Sequence, residues 1–399
     1  MANTLSGLRI LDLTHMLSGP YGGMILADLG AETIKIEPLD GEATRKLLAT
    51  DPVYSLNGMG AYFITLNRNK KSVAIDLKTE QGLEVFNALV AVSDVVLSNF
   101  TVDVLERLGI DYKSLSKVNP RIISCTVSGF GSCGPGSKRP AFDQVAQAMG
   151  GGMSITGVDA ANPVRAGIPI GDLGGGMFGV MGILAALYER ERSGAGQQVD
   201  ISMLDCQISM LNYMATMYFL SGEDPSPVGN SHFVHVPYNT FSCSDGNIVI
   251  AVMTDNFWVN LKKVVCCEDL KDSKYDTQPG RWRARDMINE RLNTLLSSNT
   301  CQYWLAKLES ERIPCAPVNS LSQALSDKQV LHRNMVVDLK HPDGSKTKGP
   351  GNPIKLSRTK NEMFTPAPTL GQHTDEVLTE LLKYSSDTIA QLRKQGSVK

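Results

Sequence analysis

Leu8-Arg9-Ile10-Leu11-Asp12-Leu13 opens the stretch that decides the fold. It leads through Ser18-Gly19-Pro20-Tyr21-Gly22-Gly23-Met24-Ile25-Leu26-Ala27-Asp28-Leu29-Gly30 to Thr33-Ile34-Lys35-Ile36. The first run reads as a buried strand. The middle run predicts a helix from about Pro20, with proline at its first position and Gly30 just past its end. The last run is a second strand. Outward from this unit the alternation continues: strands at Ser72 to Ile75, Val95 to Leu97, Ile122 to Val127 and Gln198 to Ile201, and helices at Thr79–Val90 and Val102–Leu108. A long helical pattern between Asp172 and Arg192 is ended by Ser193-Gly194-Ala195-Gly196. Strands alternating with helices predict an α/β fold with a doubly wound parallel sheet.

The texture changes after Ser221. Asp224-Pro225-Ser226-Pro227 reads as a linker, Asn247 to Val252 as a strand behind an Asp245-Gly246 turn, and Trp282 to Lys307 as amphipathic helices that leave through Arg312-Ile313-Pro314. These features predict a large domain of residues 1–224 and 326–399 and a smaller α+β domain of residues 225–325. The final segment carries a strand-like Met335 to Leu339 and a terminal helix, Thr374 to Lys383.

A chain of 399 residues supports more than one core. Its Lys+Arg 39 and Asp+Glu 41 leave a formal charge of −2, which gives no electrostatic case for nucleic acid or an anionic membrane. An anion site must be a local cluster. The start, MANTLSGLRILDLT, lacks the pattern of a secretory signal, and the most apolar stretch, Met177 to Leu187, is too short to span a bilayer. Eight scattered cysteines without a CxxC pair read as free thiols in a reducing compartment, the cytoplasm, and make a metal site unexpected.

Two glycine clusters match GxGxxG, Gly129 to Gly134 and Gly174 to Gly179. The first runs into Pro135-Gly136 and opens no helix. The second follows a segment too short and proline-broken for a central strand, so neither reads as a dinucleotide fingerprint. Gly174, Gly175 and Gly176 nevertheless cost a helix roughly 1 kcal/mol each relative to alanine, so something must approach that backbone closely. Asp172 heads the cluster. An aspartate there is an ordinary N-cap; the same position keeps a carboxylate ionised, and bare glycines leave room for a ligand beside it.

Motifs along the whole chain resemble the class III CoA-transferases, the family of formyl-CoA transferase, carnitine CoA-transferase and α-methylacyl-CoA racemase. They include Leu26-Ala27-Asp28-Leu29-Gly30-Ala31-Glu32, Ile34-Lys35-Ile36-Glu37-Pro38, Asn67-Arg68-Asn69-Lys70-Lys71-Ser72, Leu105-Glu106-Arg107-Leu108-Gly109, Ser128-Gly129-Phe130-Gly131, Gly171-Asp172, Pro237-Tyr238 and Leu370-Gly371-Gln372-His373-Thr374. The resemblance implies an interlocked homodimer with no permanently bound cofactor, CoA and acyl-CoA serving as substrates. It implies Asp172 as the nucleophile, forming an aspartyl–CoA thioester. It places CoA against Met16, Leu17, Ile75, Asp76, Lys78, Asn99, Phe100, Thr101, Arg107, Lys138, Phe142 and Asp143. Arg107 and Lys138 are sensible phosphate counterions; the run Arg68 to Lys71 is either a further anion contact or an exposed charge run.

Departures narrow the reading. The racemase branch has histidine where this chain has Phe142, and Phe cannot exchange a proton at an α-carbon. Leu17 replaces the glutamine of the formyl branch. Gly229-Asn230-Ser231-His232-Phe233-Val234-His235-Val236-Pro237-Tyr238 looks like the corresponding stretch in relatives that use succinyl-CoA and other dicarboxylates. On this reading Gly174, Gly175, His232 and Tyr238 face substrate, with a plain linker histidine as the alternative for His232. The expectation is an acyl-CoA:carboxylate CoA-transferase with succinyl-CoA or another dicarboxylate as a candidate partner. A racemase and a non-catalytic CoA-binding protein are the rival readings.

Overall fold

The predicted strand–helix–strand opening becomes the centre of a six-stranded sheet in the computed structural model, which describes residues 3–341 and 343–399. By contacts the chain forms two units. One comprises Met1–Gly152, Arg165–Ser221 and Lys328–Lys399; the other comprises Met153–Val164 and Gly222–Asp327. Met153–Val164, which the linker texture assigned to the large domain, thus clusters with the second unit.

In the first unit β1 (Arg9–Asp12), β2 (Glu32–Glu37), β3 (Lys70–Ala74), β4 (Val95–Ser98), β5 (Ile123–Ser128) and β6 (Gln198–Ser202) lie in the order β3-β2-β1-β4-β5-β6. Every neighbouring pair is parallel. Helices cover both faces, so the strands are near-continuous apolar runs. Leu11, Ile34 and Val73 face a layer with Val85, Phe86 and Leu89, whereas Ile10, Val95 and Ile123 face one with Leu26, Val180 and Ile183. Strand order reverses between β1 and β4. The chains leaving these two strands diverge there and open a crevice at the carboxyl edge of the sheet.

Helix α1 (Ser18–Asp28) follows β1 and starts two residues ahead of Pro20; α2 (Glu80–Ala91) follows β3, and α3 (Val102–Leu108) follows β4. Next come α4 (Asp143–Met149), α5 (Ile170–Ser193) and α6 (Met203–Leu211). The apolar stretch expected to be too short for a bilayer lies in α5, whose 24 residues are long and apolar enough to cross one. Here the helix packs in the core instead, with Gly174, Gly175, Gly176, Gly179, Val180 and Ile183 buried.

The glycines of α5 are explained by that packing. A Cβ on Gly176 would stand 2.5 Å from the Ser18 carbonyl oxygen and 3.2 Å from the Gly22 nitrogen, and one on Gly22 would stand 3.1 Å from the Gly176 carbonyl oxygen. Helices α1 and α5 therefore meet backbone to backbone. A Cβ on Gly174 would meet Met210 at 2.7 Å, and one on Gly175 would meet Ser18 Oγ at 2.6 Å and Val127 at 3.0 Å. The close approach inferred from the sequence is made by protein, not by a ligand.

The run Arg68 to Lys71 is neither an exposed charge run nor an anion site. Arg68 grips the Asp28 carboxylate, Lys70 Nζ lies 2.8 Å from Asp12 Oδ2 with both side chains fully buried, and Lys71 bridges Glu32 and Glu376. The C-terminal segment closes the β3 edge. His373 N–H donates to the Ser72 carbonyl, Lys399 N–H donates to that of Ala74, and Ile75 bridges Val398. A further helix, Ser386–Lys394, capped by Ser385, follows the expected terminal one, which runs Thr374–Leu382.

The second unit is built on an antiparallel sheet of β7 (Tyr238–Cys243), β8 (Gly246–Ala251) and β9 (Cys315–Pro317), with β8 central. Helices Asp255–Val265, Arg285–Leu296 and Cys301–Ser310 bury Trp258, Leu292, Trp304 and Leu308 against Phe241, Ile248 and Ile250.

Gly176→Ala tests the helix contact. Alanine would add intrinsic helix stability, yet its methyl has no room, so unfolding in urea should show a loss of about 1–3 kcal/mol. A neutral or stabilised variant would contradict the contact.

Candidate active site

The crevice at the sheet's carboxyl edge is bounded by the loop after β1 and the loop after β4, and the two are tied together. His15 N–H donates to Asn99 Oδ1 at 2.9 Å, Asn99 Nδ2 donates back to the His15 carbonyl at 2.7 Å, and the His15 and Phe100 rings lie 5.1 Å apart. The β1 loop is fixed from beneath as well. Lys35 Nζ donates to the Thr14 carbonyl at 2.8 Å, and Thr14 N–H donates to Asp12 Oδ1 at 2.9 Å. Burial would raise Asp12, but Lys70 and Lys35 outweigh it and hold the carboxyl below its usual range; burial pushes Lys70 down to about 8 despite Asp12. Burial, with Lys35, also lowers His15, which is therefore neutral at pH 7.

Two cavities meet along His15 and Phe100. The larger, about 990 Å³, is lined by Ile75, Asp76, Lys78 and Arg107 among others. The smaller, about 180 Å³, is lined by Met16, Leu17, Ser18, Asn99, Phe142 and Asp172 among others. The residues expected to contact CoA thus divide between two adjoining spaces. Thr101 begins α3 as its N-cap, and Lys138 is exposed on the loop after β5; neither lines either of these two cavities.

Asp172 is not the helix cap that its sequence position suggested. Helix α5 begins at Ile170, and Asp172 lies in its first turn without capping it. Asp143, from α4, does the capping: its Oδ1 accepts from Gly171 N–H at 2.8 Å and from Asp172 N–H at 3.3 Å, while Gln147 Nε2 donates to its Oδ2 at 2.7 Å. Asp143 therefore positions Asp172 and lies outside the cavity wall. Among the described residues no donor is hydrogen-bonded to the Asp172 carboxylate. Burial, reinforced by the Asp143 charge, pushes its pKa up to about 6, reversing the expectation that the helix terminus holds it low. A partly desolvated carboxylate without donors is a more basic oxygen nucleophile than a fully solvated one, and at pH 7 it is still mostly ionised. Burial together with the Asp172 charge in turn pushes the Tyr62 hydroxyl up to about 12, so these two groups share one field.

Gly174 and Gly175, expected to face substrate, are absent from the cavity wall and pack against Met210, Ser18 and Met203. His232 and Tyr238 belong to the second unit, where their rings stack at 5.0 Å. His232 Nδ1 accepts from Val234 N–H at 2.9 Å and His235 N–H at 3.1 Å, which fixes its proton on Nε2. The sequence reading did not select His15 and Ser18 as site residues. The usable signal was their place directly after the first strand of a doubly wound sheet. Among the described residues no group of His, Cys, Asp and Glu could hold a metal ion.

Linkage tests the environment of Asp172. Its folded pKa of about 6 exceeds the ordinary 3.8, so burying the charged form lowers stability at neutral pH, and that cost vanishes as pH falls through about 6 toward 3.8. Asp172→Asn should therefore melt above the wild type at pH 8, with the gap closing at pH 4.5. A gap that is absent at pH 8 or widens in acid would refute the desolvated-carboxylate description.

The profile of CoA-transferase family III matches residues 5–374. Succinyl-CoA:glutarate CoA-transferase of Mus musculus is 36% identical over 396 residues, 99% of this chain and 90% of that protein. Succinyl-CoA:mesaconate CoA-transferase of Haloarcula hispanica is 35% identical over 385 residues, 94% of this chain and 96% of that one. Among solved structures, a CAIB/BAIF family protein from Brucella suis superposes with a TM-score of 0.86 at 34% identity, covering 96% of this chain and 100% of its own. With a doubly wound sheet, a half-buried aspartate at its switch-point crevice and relatives matched over nine-tenths or more of their length, the chain belongs to CoA-transferase family III.

Proposed function

We propose that the enzyme exchanges CoA between an acyl-CoA and a free carboxylate through covalent intermediates on Asp172, with a dicarboxylate such as succinate on at least one side. The observation that carries this reading is the half-buried Asp172 carboxylate, without a hydrogen-bond donor among the described residues, at the wall of a small cavity that opens on a much larger one. One Asp172 oxygen attacks the thioester carbonyl carbon. The C–S bond breaks with its electron pair leaving as CoA thiolate, and a mixed anhydride forms. The thiolate then attacks the Asp172 carbonyl carbon, which gives an aspartyl–CoA thioester and releases the donor acid as carboxylate. The acceptor carboxylate and the thiolate repeat the two steps in reverse. No proton, oxidant or metal is required, and thioester energy is retained.

The two cavities suit the two ends of CoA. Lys78 and Arg107 supply charge-assisted hydrogen bonds for phosphates in the larger space, and the thiol arm passes His15 and Phe100 to Asp172. Confinement around Asp172 keeps water from hydrolysing either acyl intermediate. Phe142 forms part of that wall and carries no transferable proton, so α-carbon racemisation finds no acid or base at this position. A dicarboxylic acid as one partner accords with the succinate, glutarate and mesaconate in the relatives' names. The homodimer is part of the proposal. Phe219 and Leu220, 80% and 84% exposed in the single chain, supply apolar surface for a partner. A cytoplasmic setting accords with eight unpaired cysteines.

Incubation with succinyl-CoA and a panel of mono- and dicarboxylic acids, read by mass spectrometry for new thioesters, should give products with dicarboxylic acceptors. Hydroxylamine should trap an acyl enzyme at Asp172. Asp172→Ala should abolish exchange while remaining folded; turnover retained in that variant would sink the covalent route.

A further inference from the structure

Ser18 is the first residue of α1, and its hydroxyl is in an unusual position. The residue is 5% exposed, and among the described residues Oγ has no hydrogen-bond partner. A buried hydroxyl left unpaired costs on the order of 1–3 kcal/mol, so native proteins rarely leave one without use. Ser18 as a residue lines the same cavity of about 180 Å³ as Asp172, with the hydroxyl sealed just behind the wall. The helix contact fixes where it stands. Ser18 Oγ lies 2.6 Å from the place a Gly175 Cβ would fill, and Gly175 is three residues beyond Asp172, hence on the same face of α5. Ser18 Oγ thus occupies the side-chain position beside Asp172.

The backbone around it points the same way. Leu17, the N-cap of α1, makes no side-chain cap, and the first turn holds no acidic residue, so this eleven-residue helix offers its N-terminal end uncompensated. Met16, just before it, is held at φ +62°, a strained conformation for a non-glycine residue that the tied β1 loop maintains. A strained loop, an unpaired buried hydroxyl and a bare helix N-terminus converge on one side of the carboxylate that attacks.

We propose that Ser18 Oγ–H is the hydrogen-bond donor for the oxyanion that forms each time an acyl carbon at Asp172 becomes tetrahedral. The inference rests on the covalent CoA-transfer reading above. When the Asp172 oxygen adds to the thioester carbonyl, the C=O electron pair moves onto that oxygen. Ser18 donates a hydrogen bond to it and keeps its own proton, and the pair returns as the C–S bond breaks. The hydroxyl has no partner in the resting enzyme, so its bond forms only with the reacting species, the condition for lowering a barrier rather than merely tightening binding.

The test measures CoA exchange and single-turnover acyl-enzyme formation in wild type, Ser18→Ala, Ser18→Cys and Asp172→Ala, with melting temperatures for all four. Ser18→Ala should lower kcat and the acylation rate by about tenfold or more, as loss of one such donor does, with little change in KM for acyl-CoA. Its melting temperature should equal or exceed that of the wild type, because no resting hydrogen bond is lost. Ser18→Cys, of similar shape but a weak donor, should fall between. Wild-type acylation in Ser18→Ala would overturn the assignment while leaving the Asp172 mechanism intact. A rate loss that tracks a lowered melting temperature, or that Ser18→Cys fully restores, would also overturn it in favour of a packing role. A wild-type enzyme that moves no CoA would overturn the transferase reading and this inference with it.

Discussion

The backbone-to-backbone contact of α1 on α5 is the constraint on which the site depends. Gly22 and Gly176 let the two helices approach until carbonyl and Cα groups touch, a distance that a methyl on Gly176 would prevent and one on Gly22 would crowd. That approach brings the start of one helix, with Ser18, beside the first turn of the other, with Asp172. Glycine in a helix interior is destabilising by itself. Four of them, at 174, 175, 176 and 179, are tolerated because the sheet, α1 and α6 fill the space their side chains would have taken.

Electrostatics then divide the labour between two aspartates. Asp143 accepts the free amides at the head of α5 and a donor from Gln147, whereas Asp172 accepts none and is pushed up by burial and by Asp143 itself. One carboxylate is used as a fixed structural charge and the other is left reactive. Below the crevice the buried Asp12–Lys70 pair and Lys35 anchor the loop that carries His15, Met16 and Ser18. Such a pair adds little net stability over an apolar replacement, but losing one partner costs about 3–5 kcal/mol, which makes it a strict determinant of geometry.

Most of the large sheet was legible because its strands are short apolar runs separated by helical periodicity, and the first βαβ unit fixed the direction of winding. Asp172, Leu17, Asn99 and Phe100 were legible through motif resemblance, and they do line one cavity. Other features were not. A glycine run shows that something comes close but not what, so the α5 glycines were read as space for a ligand when α1 and its neighbours fill it. Arg68, Lys70 and Lys71 looked like a surface charge run because Asp28, Asp12 and Glu32, their partners, are remote in sequence. Ser18 was invisible for a related reason. A serine after a strand is commonplace, and only the absence of any partner for its hydroxyl sets it apart.

The closure of the β3 edge by residues about 300 positions later in the chain has a consequence for biosynthesis. Strand β3 is made early, yet its hydrogen bonds to His373 and Lys399 and the Ile75–Val398 bridge wait for residues 373–399. Until then the growing chain holds a sheet edge that can pair wrongly. The second unit has its whole sequence by Asp327, before the first unit can finish. Domains made early generally fold early; here the earlier portion is completed last, so the catalytic unit is sealed only once residues 373–399 have been made and docked, not when its N-terminal half has been.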